Sequence, residues 1–180
     1  MMNANDNEPP KKQTRSRRKT TYKGASNKPV SGMLPKTENQ DKLIKAIKSS
    51  KQVLILGPAG TGKTYVTATC AADLYILKEI DKIVITRPHV AVGRDIGYLP
   101  GTLEEKAQPW ALPVLDVLTK HLSKGAVDTA LKSGNIEVAT LALMRGRSFE
   151  NAFIIVDEAQ NIEIPEIKML LTRVGEGSTI

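Results

Sequence analysis

Cysteine is almost absent from this chain. Cys70 is the only one among 180 residues, which excludes an internal disulfide and any metal site built from several thiolates. It falls in a helical stretch after a glycine loop, where it reads as a small core residue. Aromatic residues make up only 4% against 41% hydrophobic overall, so the core must be packed by aliphatic side chains. The two histidines, His89 and His121, are too isolated to suggest a metal site and are expected at the surface. No apolar stretch approaches the roughly 20 residues that span a bilayer, and the N-terminus lacks the hydrophobic segment of a secretion signal. A cytoplasmic protein with no membrane partner is the expectation.

Acidic residues are also scarce near the N-terminus. The first thirty positions hold Lys11, Lys12, Arg15, Arg17, Arg18, Lys19, Lys23 and Lys28 against only Asp6 and Glu8, in a chain of net charge +7. Two readings stay open for this segment. It is either a solvated tail that keeps the protein soluble or a contact for phosphate backbones driven by counterion release. Tyr22 is the one stacking partner there, so any such contact should be blind to base sequence and sensitive to salt. Residues 1–30 lack hydrophobic periodicity and read as a disordered basic tail; residues 31–180 suffice for one domain, ordered from about Met33.

Within that domain "PKTENQDKLIKAIKSS" reads as a capped helix. Thr37 is its N-cap, Gln40 stands at the capping-box position, and Leu43, Ile44 and Ile47 share one apolar face. Short apolar runs at 52–56, 82–86, 136–140 and 152–157 then alternate with helical patterns at 63–78, 109–122, 127–132 and 165–174. Runs of Ile and Val without a polar alternate suit strands buried on both faces. The alternation predicts an α/β fold with a mostly parallel sheet flanked by helices and right-handed crossovers. Gly97, Pro100, Gly101 and Pro109 punctuate a long loop before the second of these helices, a connection of the kind that is usually functional. Tyr98 and Trp110 there either stack on bases or pack locally.

The most informative stretch is "LILGPAGTGKTYVTATC". Gly57, Gly62, Lys63 and Thr64 complete the pattern G-x-x-x-x-G-K-[ST] between an expected strand and an expected helix. The glycines let backbone N–H groups turn inward onto phosphate oxygens, where the positive end of the following helix adds to them. Pro58, Ala59, Gly60 and Thr61 complete the loop, with Pro58 and Gly60 shaping it. Lys63 supplies an ammonium for the β- and γ-phosphates of ATP, and Thr64 a hydroxyl for Mg²⁺.

A phosphate cradle alone does not hydrolyse anything. "AFIIVDEAQ" adds an acidic element: four apolar residues, Phe153 to Val156, carry Asp157 to the C-terminal end of a buried strand expected to neighbour the loop's own. Asp157 would hold Mg²⁺ opposite Thr64, and Glu158 would orient the attacking water. A small-molecule kinase does not need a carboxylate at Glu158, so the pair favours hydrolysis; no lid or acceptor-pocket signature supports a kinase.

"LGPAGTGKT", "ITRP", "GYLPGTLEEK", "IEVATLALMRGRSFENAFIIVDEAQN" and "IKMLLTRVGEGS" together resemble the PhoH-like family, phosphate-starvation-inducible ATPases of the superfamily 1 helicase kind. The likeness runs in order from about Pro35 to the last residue. It implies a RecA-like P-loop core, RNA or single-stranded DNA as a partner, and leaves a homo-oligomeric ring open. It also implies that Gln40 contacts adenine, in rivalry or in company with its capping role, and that Gln160 couples nucleotide state to the nucleic-acid track. Arg87 in "ITRP", with Arg145 and Arg147 in "MRGR", stand where the resemblance implies strand contacts; structural ion pairs are the other reading.

The sequence departs from the family pattern at Arg94, where an acidic residue is usual, and at its end. It stops at "GSTI", where the family continues into a Gly-Asp-x-x-Gln sensor segment, and no arginine finger follows. The expectation is therefore a core incomplete at its C-terminus that binds ATP well and hydrolyses it poorly. The rival reading is a truncated, non-catalytic module that binds ATP and nucleic acid.

Overall fold

The structure is a computed structural model that describes residues 33–88 and 103–180, with backbone alone over 103–108. At its centre lies β1 (Lys82–Arg87), parallel to β2 (Ile136–Thr140) on one side and to β3 (Ala152–Val156) on the other. The register sets Ile83 beside Ile136 and Phe153, and Ile85 beside Val138 and Ile155. These six side chains share one face of the sheet and pack with Val66 and Ala71 of α2 (Lys63–Ile76) and with Val114 and Leu118 of α3 (Leu103–Leu122). Ile47 of α1 (Glu38–Ser49) and Val127 of α4 (Lys124–Ser133) close the same core.

Val84, Ala139 and Ile154 point to the opposite face, against Leu141 and Met144 of α5 (Leu141–Met144) and Leu170 of α6 (Ile164–Leu171). Side chains alternate along a strand, so a strand with helices on both faces must be apolar at every position. That is why the strand runs are mostly Ile, Val and Ala, with Thr86 and Glu137 as the polar exceptions inside the sheet, and the chain is an α/β protein of the P-loop kind in three layers. α2 sits close to the sheet because its buried face is small: Ala68, Cys70, Ala71 and Ala72 are each at most 5% exposed. Cys70 is the core residue its position suggested.

Three expectations change. Pro109 does not punctuate a loop; it lies inside α3, as does Pro113. Both prolines are exposed, while Ala111, Val114, Leu115 and Leu118 are buried. The carbonyl that Pro113 leaves unbonded is that of Pro109, on the same wet face, so water can serve it while packing holds the helix. Trp110 packs against the main core; Gly97, Tyr98, Pro100, Gly101 and Arg94 lie outside the described residues.

Residues 52–56 do not form the regular strand expected of them. Val53 N donates to Ile180 O at 2.8 Å and Ile180 N to Lys51 O at 2.9 Å. Leu54 and Leu56 are 77% and 84% exposed. The last helical pattern also ends early: α6 stops at Leu171, and Val174 instead bridges Phe149.

The segment after it is built with unusual closeness. Ser178 is buried and its hydroxyl both accepts from Ala152 N at 2.9 Å and donates to Phe149 O at 2.8 Å. Gly177 has φ +67°, and a Cβ there would collide with Asn151 Oδ1. Thr179 then bridges Phe153 in parallel. Residues 179–180 therefore lie between β3 and residues 51–53.

Candidate functional site

Residues 57–62 carry the chain from the extended segment into α2. Gly60 and Gly62 adopt φ +78° and +84°, and Gly62 is the N-cap of α2, a left-handed position that strains any residue with a Cβ. α2 starts with no side-chain cap and no acidic residue in its first turn. α1 differs: Thr37 Oγ1 accepts from Gln40 N at 3.2 Å, and Glu38 and Asp41 fill its first turn. α6 likewise has a capping box of Glu163 and Glu166. Neither a side-chain cap nor an acidic residue of its own first turn offsets the positive end of α2, the condition in which a helix start receives a phosphate.

Lys63 Nζ donates to Gly57 O and Pro58 O, both at 2.8 Å, and Thr61 Oγ1 donates to Pro58 O at 2.9 Å. Ala59 occupies the exposed turn, and Thr64 is half-buried on the first turn of α2. Gln40 reaches this loop from α1. Its Nε2 lies 3.4 Å from where a Cβ of Gly62 would stand, while its Oε1 accepts from Lys36 N at 2.8 Å. The side-chain oxygen caps the chain one residue ahead of the expected Thr37 N–H, and its amide nitrogen lies against the loop.

A pocket of about 460 Å³ opens beside these residues, a volume in the range of small-ligand sites. Met33, Leu34, Lys36 and Gln40 line it together with Gly60, Thr61 and Gly62 of the loop and Tyr65, Thr69 and His121. His121 is not the surface histidine anticipated: it is half-buried, with Nε2 3.2 Å from Thr69 Oγ1 and its ring centroid 6.3 Å from that of Tyr65. Sequence reasoning missed this trio. The available signal was Thr69, a polar residue at a core position of α2.

Asp157 follows the last residue of β3, half-buried, with its N–H donating to Thr86 O at 3.0 Å. Glu158 has φ +53°, a left-handed conformation costly for a non-glycine residue, and accepts a hydrogen bond from Gln160 Nε2 across the 3-10 turn Ala159–Asn161. The expected adjacency of this strand and the loop's is corrected: residues 179–180 are interposed, pairing with β3 through Thr179 and with residues 51–53 through Ile180. Among the described residues no three His, Cys, Asp or Glu gather into a metal site. Thr64 on the first turn of α2 and Asp157 after β3 each offer an oxygen donor of the kind Mg²⁺ takes.

The arginines divide. Arg87 ends β1 at the same end of the sheet as Asp157. Arg147 is held elsewhere: its Nη2 donates to Glu137 Oε2 at 2.8 Å and its Nη1 to Glu137 Oε1, and its guanidinium lies 4.7 Å from the Phe149 ring centroid. Lys82 Nζ adds a bond to Glu137 at 2.9 Å. The Arg147 bond, with that of Lys82, holds the Glu137 carboxyl down to about 2 against the opposing effect of burial. This cluster sits where β1 and β2 begin, because residues leading into a parallel strand lie at its N-terminal end. Arg147 thus makes a bidentate ion pair with Glu137. Arg145 is exposed at the end of α5.

Residues 33–180 match the family model described as PhoH-like protein. The chain belongs to the PhoH-like family. It is 44% identical over 146 residues to a PhoH-like protein of Mycobacterium leprae, covering 81% of this chain and 42% of that protein. It is 42% identical over 153 residues to protein PhoH of Escherichia coli K12, covering 84% and 43%, and 43% identical over 143 residues to a PhoH-like protein of Bacillus subtilis, covering 79% and 45%. The chain thus spans less than half the length of these PhoH-like relatives. No helix among the described residues is long and apolar enough to cross a membrane.

Proposed function

We propose that this chain is a Mg²⁺-dependent, cytoplasmic ATP-binding protein that hydrolyses ATP and couples to RNA or single-stranded DNA. The observation that carries the reading is the meeting of a glycine loop, an uncapped helix start and a ligand-sized pocket around Gly60–Gly62. Phosphates would lie on the loop N–H groups and Lys63, and the base in the pocket near Gln40. Thr64 and Asp157 would hold Mg²⁺, which supplies charge neutralisation on the phosphates when bound. Glu158 would orient water for attack on the γ-phosphate, its bond to Gln160 tying it to the turn that follows β3. Arg87, at the same sheet end, and the basic N-terminal residues would meet the nucleic-acid backbone; Arg147 has no part in that contact.

Phosphate release with ATP and Mg²⁺, with and without single-stranded RNA, tests the proposal. Turnover that Lys63→Ala and Glu158→Gln both abolish is the expected result. Nucleotide binding without release, with or without RNA, favours the non-catalytic module instead. RNA affinity that does not fall as salt rises would remove the basic segment from the mechanism.

A further inference from the structure

Three features of the pocket beside the loop are not explained by phosphate binding. Thr69 is only 1% exposed on α2, yet its hydroxyl is directed to His121 Nε2 on α3, 52 residues away. A helical threonine commonly satisfies itself on the carbonyl four residues back, as Thr67 does on Lys63 O at 2.9 Å. Thr69 instead fixes a ring that lines the cavity. Next to it Tyr65, on the first turn of α2, is 44% exposed, and the two rings stand 56° apart. With Nε2 engaged by Thr69, a base in the pocket would meet His121 through its ring face or Nδ1, the donor or acceptor role of Nδ1 being fixed by which way the threonine hydroxyl points.

We propose that His121, ordered by Thr69, is a specificity-determining residue for the base of a purine nucleoside triphosphate, with Tyr65 as the adjoining aromatic wall and Gln40 as a second polar contact. The inference rests on the preceding reading that the triphosphate lies on the loop. The pocket shares Gly60, Thr61 and Gly62 with that loop, so a nucleotide whose phosphates lie there extends into the space that His121 and Tyr65 border. Two aromatic faces and two side-chain polar groups in about 460 Å³ suit a bicyclic base with a hydrogen-bonding edge better than a bare phosphate chain.

The test is equilibrium binding of ATP, GTP, CTP and inorganic tripolyphosphate, each with Mg²⁺, to the full chain and to His121→Ala, His121→Phe and Thr69→Val. Tripolyphosphate has no base and reports the loop alone. His121→Ala is expected to weaken ATP about tenfold, the scale of one lost base–aromatic stack, while tripolyphosphate affinity is unchanged. His121→Phe should keep most of the ATP affinity but narrow the ATP-to-GTP ratio, and Thr69→Val should do the same in smaller measure. Equal weakening of ATP and tripolyphosphate by His121→Ala would overturn the inference, as would an unaltered ATP-to-CTP ratio. If His121→Ala melts well below the parent, His121→Phe decides by the same comparison. A parent chain that binds neither ATP nor tripolyphosphate overturns the loop reading itself, whereas equal affinity for the two overturns only the role of His121.

Discussion

Lys63 Nζ is held over the backbone of the loop it follows, 2.8 Å from the Gly57 carbonyl and 2.8 Å from that of Pro58. An arriving phosphate has to compete with two neutral acceptors for this ammonium, and a charged oxygen wins that contest. Lys63→Ala removes one charge-assisted contact, about 1.5–3 kcal/mol. ATP affinity should therefore fall at least tenfold, and the free protein, which loses both loop hydrogen bonds, should lose on the order of 1 kcal/mol of stability. Calorimetric titration and thermal unfolding check the two halves separately.

Glu158 poses a different test because its backbone is left-handed at φ +53°. Glutamine meets the same backbone constraint as glutamate, so Glu158→Gln should leave the fold and ATP binding intact. Loss of a group that orients and deprotonates water lowers turnover by about 10²–10⁴-fold. Undiminished phosphate release by this variant would end the role given to Glu158.

The Glu137 cluster makes stability depend on pH. The folded-state carboxyl titrates near 2, below its ordinary 4.5, so its contribution is present above pH 4.5 and is lost as pH falls toward 2. Arg147 is 39% exposed, which screens the pair, and the contribution is on the order of 1 kcal/mol. Glu137→Gln should melt earlier than the parent at pH 7, with the gap closing near pH 2. A gap of the same size at both pH values would show that charge is not its source.

Cys70 should be inert in the folded protein. Burial, then the neighbouring Asp73 charge, pushes its thiol up to about 11, and the side chain is 5% exposed. A thiol-exchange reagent at pH 8 is expected to label one thiol per chain in denaturant and almost none without it. Rapid labelling of the native protein would contradict the packing of α2.

Much of this molecule is legible because its signals are local. The strands at Lys82–Arg87, Ile136–Thr140 and Ala152–Val156 announce themselves as short runs rich in Ile, Val and Ala, and Gly57–Thr64 carries its own turn chemistry. What eluded sequence reasoning depends on contacts between distant residues. Nothing near His121 says that it meets Thr69, and nothing in "MRGR" says that Arg147 finds Glu137. Pro109 of α3 misled for a related reason: tertiary burial of Ala111 and Val114 overrides a local helix-breaking preference.

Gly177→Ala probes the tightest packing. The left-handed backbone alone costs an alanine about 1–2 kcal/mol, and the collision with Asn151 adds to it. Loss of stability measured by denaturant titration should exceed that of Ser178→Ala, which removes one buried hydroxyl worth about 1–3 kcal/mol.

Because Thr179 and Ile180 stand between β3 and residues 51–53, the span from Asp157 to the loop is set by one interposed shim of extended backbone. Its thickness is one strand spacing, about 4.8 Å on each side. A slip of a single residue in that shim would misalign the acidic end against the glycine loop without touching either. Variants around Gly177 that still fold should therefore bind nucleotide normally yet turn it over slowly, a catalytic defect originating at a distance from any ligand.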